Sequence, residues 1–178
     1  PEFPGVTSDK KVAVIGSGPA GLSVATYLLR AGIGVDMYEK ADRAGGLLTY
    51  GIPGFKLDKK VVERRVKSLV EAGLNLQLNC EVGKDVSFDE LTNSHDAIFI
   101  GIGATKAKTA GLENENAKGV FAAMQYLTGI QAKNFGQTYN KELDVKDQNV
   151  VVIGGGDTAM DCVRTAKREG ARSVTCLY

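Results

Sequence analysis

Cysteine, histidine and proline are scarce in this sequence, and each shortage removes a class of chemistry. Three cysteines, Cys80, Cys162 and Cys176, are too few and too scattered for a disulfide framework, an iron–sulfur site or a zinc cluster. No C-x-x-C spacing occurs, which excludes a thioredoxin-type dithiol. The single histidine, His95, leaves little scope for a histidine-based metal site or triad, and no metal ligands are assigned. An excess of charge of one sign is also lacking, since 22 Lys and Arg face 21 Asp and Glu. Nucleic-acid and anionic-membrane partners need a concentrated positive field and are therefore not expected. No apolar run approaches the roughly 20 residues of a membrane span, and no signal peptide opens the chain. The expectation is a soluble protein of a reducing, cytoplasmic compartment. Four prolines do not make a disordered composition, and a 43% hydrophobic content can build a core. Glycine is what the sequence has in abundance: 22 of 178 residues, about 12% against a usual ~7%. Its glycines are expected where the backbone approaches something closely.

Residues 1–10 read as a polar lead, the first five resembling an expression-vector remnant. Periodicity then predicts a buried strand over 11–15, a helix carrying Leu22, Ala25, Leu28 and Leu29, and a strand over 35–39. An irregular glycine-rich loop is predicted over 41–54. A helix follows, with Leu57, Val61, Val62, Val66, Leu69 and Val70 on its apolar face and a solvated basic face opposite. Strands are predicted over 74–78 and 96–100, separated by a capping box at Ser87–Glu90. A helix over 119–132 places Phe121, Met124, Leu127 and Ile130 in a core stripe, and residues 133–147 read as a polar connection. The opening pattern then returns, with a strand over 149–153, a helix over 157–169 and a strand over 173–178.

The motif Gly16-Ser17-Gly18-Pro19-Ala20-Gly21 is G-x-G-x-x-G between a strand and a helix. Gly16 permits the tight turn, Gly18 lets the backbone approach a pyrophosphate, and Gly21 lets the helix pack close to the strand. The helix N-terminus, with Pro19 and Ala20 in its first turn, turns unpaired N–H groups and a positive dipole end toward the diphosphate. Glu39, about 20 residues on, can accept both hydroxyls of an adenosine ribose and repels a 2′-phosphate. With Lys40 beside it, this site is predicted to take FAD or NAD in preference to NADP. The first motif does not separate FAD from NAD, because both carry an ADP half. Gly45 and Gly46, followed by Leu47, could fold over the larger flavin cofactor or form an ordinary turn. The strand ending in Gly101-Ile102-Gly103 brings Gly103 to the cofactor's approach. A second fingerprint, Gly154-Gly155-Gly156-Asp157-Thr158-Ala159, repeats the strand–helix context and adds Gly154, Gly156, Asp157, Thr158 and Ala159 as candidates. Two such sites in one chain fit hydride movement from a nicotinamide to a flavin. Residues reading the 2′-phosphate would follow the strand ending at Tyr178, so NADH and NADPH stay open. Asp157 reads as a helix-capping carboxylate. His95 reads as structural, Cys162 and Cys176 as small buried apolar residues, and no catalytic acid or base is assigned.

Longer stretches carry a resemblance. Gly45-Gly46-Leu47-Leu48-Thr49-Tyr50-Gly51-Ile52-Pro53 with Phe55-Lys56-Leu57, Gly111 to Glu115, Gly154 to Arg164 and the ending Val174 to Tyr178 are similar to the small subunit of NADPH-dependent glutamate synthase and its paralogues. The resemblance runs over nearly the whole chain from Lys11. It implies an α/β protein: a Rossmann-like FAD-binding domain over 11–147, then the opening β-α-β unit of a second Rossmann-like NAD(P)H-binding domain over 148–178. It implies that Gly16, Gly18, Gly21 and Glu39 hold the ADP half of FAD, that Gly45, Gly46 and Leu47 lie along the pyrophosphate and flavin, and that the second fingerprint serves NADPH. Electrons would then pass to iron–sulfur clusters and a large glutamate synthase subunit or another acceptor. The family's cysteine-rich N-terminal domain and its returning FAD-binding half are not in this sequence, so a fragment, inactive alone, is expected. The alternatives are a single-cofactor NAD-dependent dehydrogenase, which the second fingerprint counts against, and a non-catalytic nucleotide-binding or docking domain.

Overall fold

The computed structural model describes residues 3–109 and 111–178. They fall into two compact units. One takes the chain through Thr49 together with Asp58–Thr105, and the other takes Tyr50–Leu57 and Lys106–Tyr178.

The first unit is built on four parallel strands, β1 (Lys11–Ile15), β2 (Gly34–Tyr38), β3 (Leu74–Gln77) and β4 (Ala97–Ile100), in the order β3-β2-β1-β4. From β1 the order runs one way through β2 and the other way to β4, which makes the carboxyl edge between β1 and β4 a switch point where α/β sheets bind ligands. Helix α1 (Pro19–Arg30) crosses from β1 to β2 and buries Leu22, Ala25 and Leu29 against Val14, Val35 and Met37. The short α2 (Leu47–Tyr50) lies within the stretch predicted to be irregular, where glycines had masked a single helical turn. Helix α3 (Lys59–Glu71) starts at Asp58, whose side chain accepts the Lys60 N–H, and returns the chain to β3. Val62 and Leu69 are its buried residues, and Val66 packs against the same core. Val61 and Val70, read as part of the apolar face, are 45% and 44% exposed, so the buried stripe is narrower than the hydrophobic one. Fully burying a side chain such as Leu29, Met37 or Leu69 contributes about 1.5–3 kcal/mol. Helix α4 (Phe88–Ser94) carries the predicted capping box, with Ser87 and Glu90 bonded reciprocally. Of the lead segment, Pro1 and Glu2 lie outside the described residues. Phe3 packs against the core, and the Thr7 N–H donates to Gly32 O at 2.9 Å.

In the second unit, β5 (Asn149–Ile153) and β6 (Ser173–Leu177) pair in parallel, joined by α6 (Asp157–Arg168). Helix α5 (Ala123–Asn134) begins later than the sequence pattern indicated, and Tyr126, Leu127 and Ile130 pack with Cys162 and Ala166 of α6. The supposed polar connection contains a 3-10 turn at Lys141–Leu143 that buries Leu143 in this core. No helix among the described residues is long and apolar enough to cross a membrane.

Candidate functional sites

The first fingerprint lies at the carboxyl edge of the four-stranded sheet. The ladder runs past the strand ends: Gly16 N–H donates to Tyr38 O at 2.8 Å, Glu39 N–H to Gln77 O at 2.9 Å, and Gly101 N–H to Ile15 O at 2.8 Å. The three turns that follow β1, β2 and β4 are thereby brought to one edge. Gly16 has φ +96°, and a Cβ there would stand 2.6 Å from Gly101 O, so the turn admits only glycine. At Gly21 a Cβ would fall on the Gly16 carbonyl, which is the close helix–strand packing read from the motif. Gly18 differs. It is the N-cap of α1 in extended conformation, makes no side-chain cap, and nothing lies within 4 Å of where its Cβ would be. The protein does not need a glycine there for packing, and the open space lies at a 12-residue helix's N-terminus, where an anion is favoured. Pro19 and Ala20 form the exposed first turn of α1.

Glu39 is 8% exposed. Its Oε2 accepts Ser17 N–H at 3.0 Å and Ser17 Oγ–H at 2.6 Å, and its Oε1 accepts Ala41 N–H at 2.9 Å. A carboxylate has about four lone-pair positions, so one remains open, on Oε1. Lys40 beside it is exposed. Gly45 N–H reaches Ser17 O and Ser17 Oγ, both at 3.1 Å. Gly46, at φ +52°, sits so near the fingerprint that a Cβ would lie 2.9 Å from Gly18 Cα. Leu47, opening α2, is 53% exposed. Gly103, past β4, has φ +68° with open space around it. Sequence reasoning passed over Ser17 because it occupies a free position of the fingerprint. The available signal was a small hydroxyl residue between two glycines and a later acid.

The second unit repeats the cradle. Gly154 has φ +129° and donates its N–H to Leu177 O at 2.7 Å. Gly156 is the N-cap of α6 and, like Gly18, has nothing near its Cβ position. Ala159 is buried under the turn, and Thr158 is exposed. Asp157 corrects the sequence reading: Gly156 takes the N-cap position, so Asp157 is the first helical residue, exposed and without a side-chain cap bond. Its charge still favours the helix N-terminus. Asp161, one helical turn on, is buried and paired with Lys56, whose Nζ lies 2.9 Å from Oδ1 and 3.1 Å from Oδ2. Phe55 stacks on the Arg168 guanidinium at 3.9 Å.

His95 is structural, as expected. Its Nε2 meets Asp36 Oδ2 at 3.1 Å, and its ring stands edge-on to Tyr38. Burial pushes the Asp36 carboxyl up, but hydrogen bonds from Lys11, Asn75 and His95 outweigh it and hold the group below its usual value. Cys162 is buried as read, and burial raises its thiol to about 11. Cys176 is only half-buried. Among the described residues no His, Cys, Asp and Glu side chains gather as a metal site.

Comparison with known proteins agrees with this geometry. The chain is 51% identical, over its whole length, to a putative glutamate synthase [NADPH] small chain of Cereibacter sphaeroides, covering 43% of that protein. It is 47% identical to the glutamate synthase [NADPH] small chain of Escherichia coli (strain K12), covering 39% of it. The chain thus spans less than half the length of these relatives. Among solved structures, Mycobacterium tuberculosis FprA in complex with NADPH superposes with a TM-score of 0.78 at 22% identity, over 95% of this chain and 43% of that one. Likeness at that identity concerns the fold, a mixed α/β architecture on parallel strands. Residues 10–178, and with them both glycine cradles, match one family description throughout: the chain belongs to the pyridine nucleotide-disulphide oxidoreductase family.

Proposed function

We propose that this chain is part of a flavoprotein oxidoreductase in which NADPH reduces FAD and electrons leave for iron–sulfur clusters or a partner subunit. The observation that carries the reading is the pair of cradles, each a strand, a glycine turn and a helix whose N-cap glycine faces open space. The names of the relatives point to NADPH as the coenzyme, and the class of partner that fits them is the large subunit of a glutamate synthase. Residues 11–147 are assigned to FAD binding and 148–178 to the opening of the NAD(P)H-binding domain.

FAD, when bound, supplies a ring that accepts a hydride and passes its electrons on. The residues here bind and orient. Gly16, Gly18, Pro19, Ala20 and Gly21 present the N-terminus of α1 to the diphosphate, and the open lone pair on Glu39 Oε1 accepts a ribose hydroxyl. Lys40, Gly45, Gly46, Leu47 and Gly103 line the approach. Gly154, Gly156, Asp157, Thr158 and Ala159 would receive the pyrophosphate of NADPH at α6. A cytoplasmic location is the reading that fits three cysteines all free of disulfides.

The test is anaerobic addition of NADPH to the complete protein loaded with FAD, followed through the flavin's visible absorbance. Bleaching by NADPH supports the reading, and an oxidised flavin that NADPH and NADH both leave unchanged refutes it.

A further inference from the structure

Ser17 has no exposed surface and serves three neighbours at once. Its N–H and Oγ–H both donate to Glu39 Oε2, at 3.0 and 2.6 Å, and its Oγ accepts Gly45 N–H at 3.1 Å. The 2.6 Å separation is that of a charge-assisted O–H···O⁻ bond, so the hydroxyl proton points at the carboxylate and a lone pair is left for Gly45. Oε2 is therefore saturated, and the carboxylate cannot turn without breaking a buried bond. The Gly45 end is fixed as well. At φ +115°, a Cβ there would overlap Thr49 Oγ1 and lie 2.8 Å from Val62, so the loop is pressed against α2 and α3 while Ser17 holds its N–H.

We infer that Ser17 is a positioning residue of the first dinucleotide site, fixing Glu39 so that Oε1 is turned to a ribose hydroxyl and tying the Gly45–Gly46 turn beside Gly18. The inference rests on the reading of this site as the FAD site. Ser17 touches no ligand in this account and acts through Glu39 and Gly45. A serine that merely fills space would affect every ligand equally. A serine that orients Glu39 governs discrimination between adenosine and its deoxy forms.

The experiment uses the complete protein freed of flavin and titrated with FAD and with FAD analogues lacking the 2′ or the 3′ adenosine hydroxyl. The wild type is expected to prefer FAD over at least one analogue by about tenfold, the value of a hydrogen bond to a charged group. Ser17→Ala should cut that preference by about threefold or more, as expected when one of the three bonds aiming the carboxylate is lost. Ser17→Cys keeps the buried volume with a weaker donor and should behave alike, which guards against collapse of the loop. In a Glu39→Gln background, Ser17→Ala should remove no further preference, because the two residues act as one unit. If Ser17→Ala weakens FAD and both analogues by the same factor, the inference is overturned and the flavin reading stands. If the wild type binds no FAD, both fall together.

Discussion

The second and third glycines of the first fingerprint, Gly18 and Gly21, make opposite predictions, and the pair separates packing from binding. At Gly21, a methyl would overlap the Gly16 carbonyl, backbone against backbone. Overpacking of this kind costs about 3 kcal/mol at the upper end of its usual range, and the helix propensity gained on replacing glycine returns up to ~1 kcal/mol. Gly21→Ala is therefore expected to lose about 2 kcal/mol of stability. At Gly18, φ −66° and ψ −174° are open to any residue, and nothing stands within 4 Å. Gly18→Val should cost no more than ~1 kcal/mol, the difference between a good and a poor N-cap. It also fills the space at the helix N-terminus. Losing even two charge-assisted bonds to a diphosphate, at about 1.5 kcal/mol or more each, weakens binding by about 100-fold. Urea denaturation without flavin measures the first effect, and titration by flavin fluorescence measures the second. The reasoning is refuted if Gly18→Val binds FAD like the wild type, or if it is destabilised as much as Gly21→Ala.

Three further outcomes follow from the buried polar groups. Asp36 titrates below its unfolded value, so its contribution to stability is present above about pH 4 and is lost as pH falls through its folded value. The stability gap between wild type and Asp36→Asn, followed by urea denaturation from about pH 5 downward, should therefore be full at the start and shrink below about pH 4. Lys56→Met strands the Asp161 carboxylate, whose side chain is 9% exposed. It should cost about 1–3 kcal/mol in urea denaturation, less than a fully buried pair because Lys56 reaches solvent. Adding Asp161→Asn should recover much of that loss. With its thiol raised to about 11 by burial, Cys162 should resist iodoacetamide at mildly alkaline pH in the native protein and react after denaturation, as peptide mapping would record.

Both cradles were legible in the sequence because their requirements are local. A short apolar run, glycines at fixed offsets and an amphipathic helix are read in one pass, and Glu39 follows at the end of the next strand. The features that escaped depend on distance or on competition. Ser17 is informative only once Glu39 and Gly45 are known to converge on it. Lys56 and Asp161 are far apart in sequence, and no periodicity announces an ion pair. Asp157 was read as a cap because acids favour that position, yet the fingerprint's own glycine turn had already taken it. Val61 and Val70 lie on α3's hydrophobic stripe, but only Val62 and Leu69, with Val66 beside them, meet the core. Leu143 sits in a polar stretch whose one buried residue is held by a single 3-10 turn.

The central claim is that the first cradle is a flavin site. It is tested most directly by calorimetric titration of the complete protein, freed of flavin, with FAD, and with NAD and NADPH as parallel controls. The account predicts one FAD bound per chain, with NAD not taking the site. Binding of NAD without FAD would contradict it and turn the reading to a single-cofactor dehydrogenase.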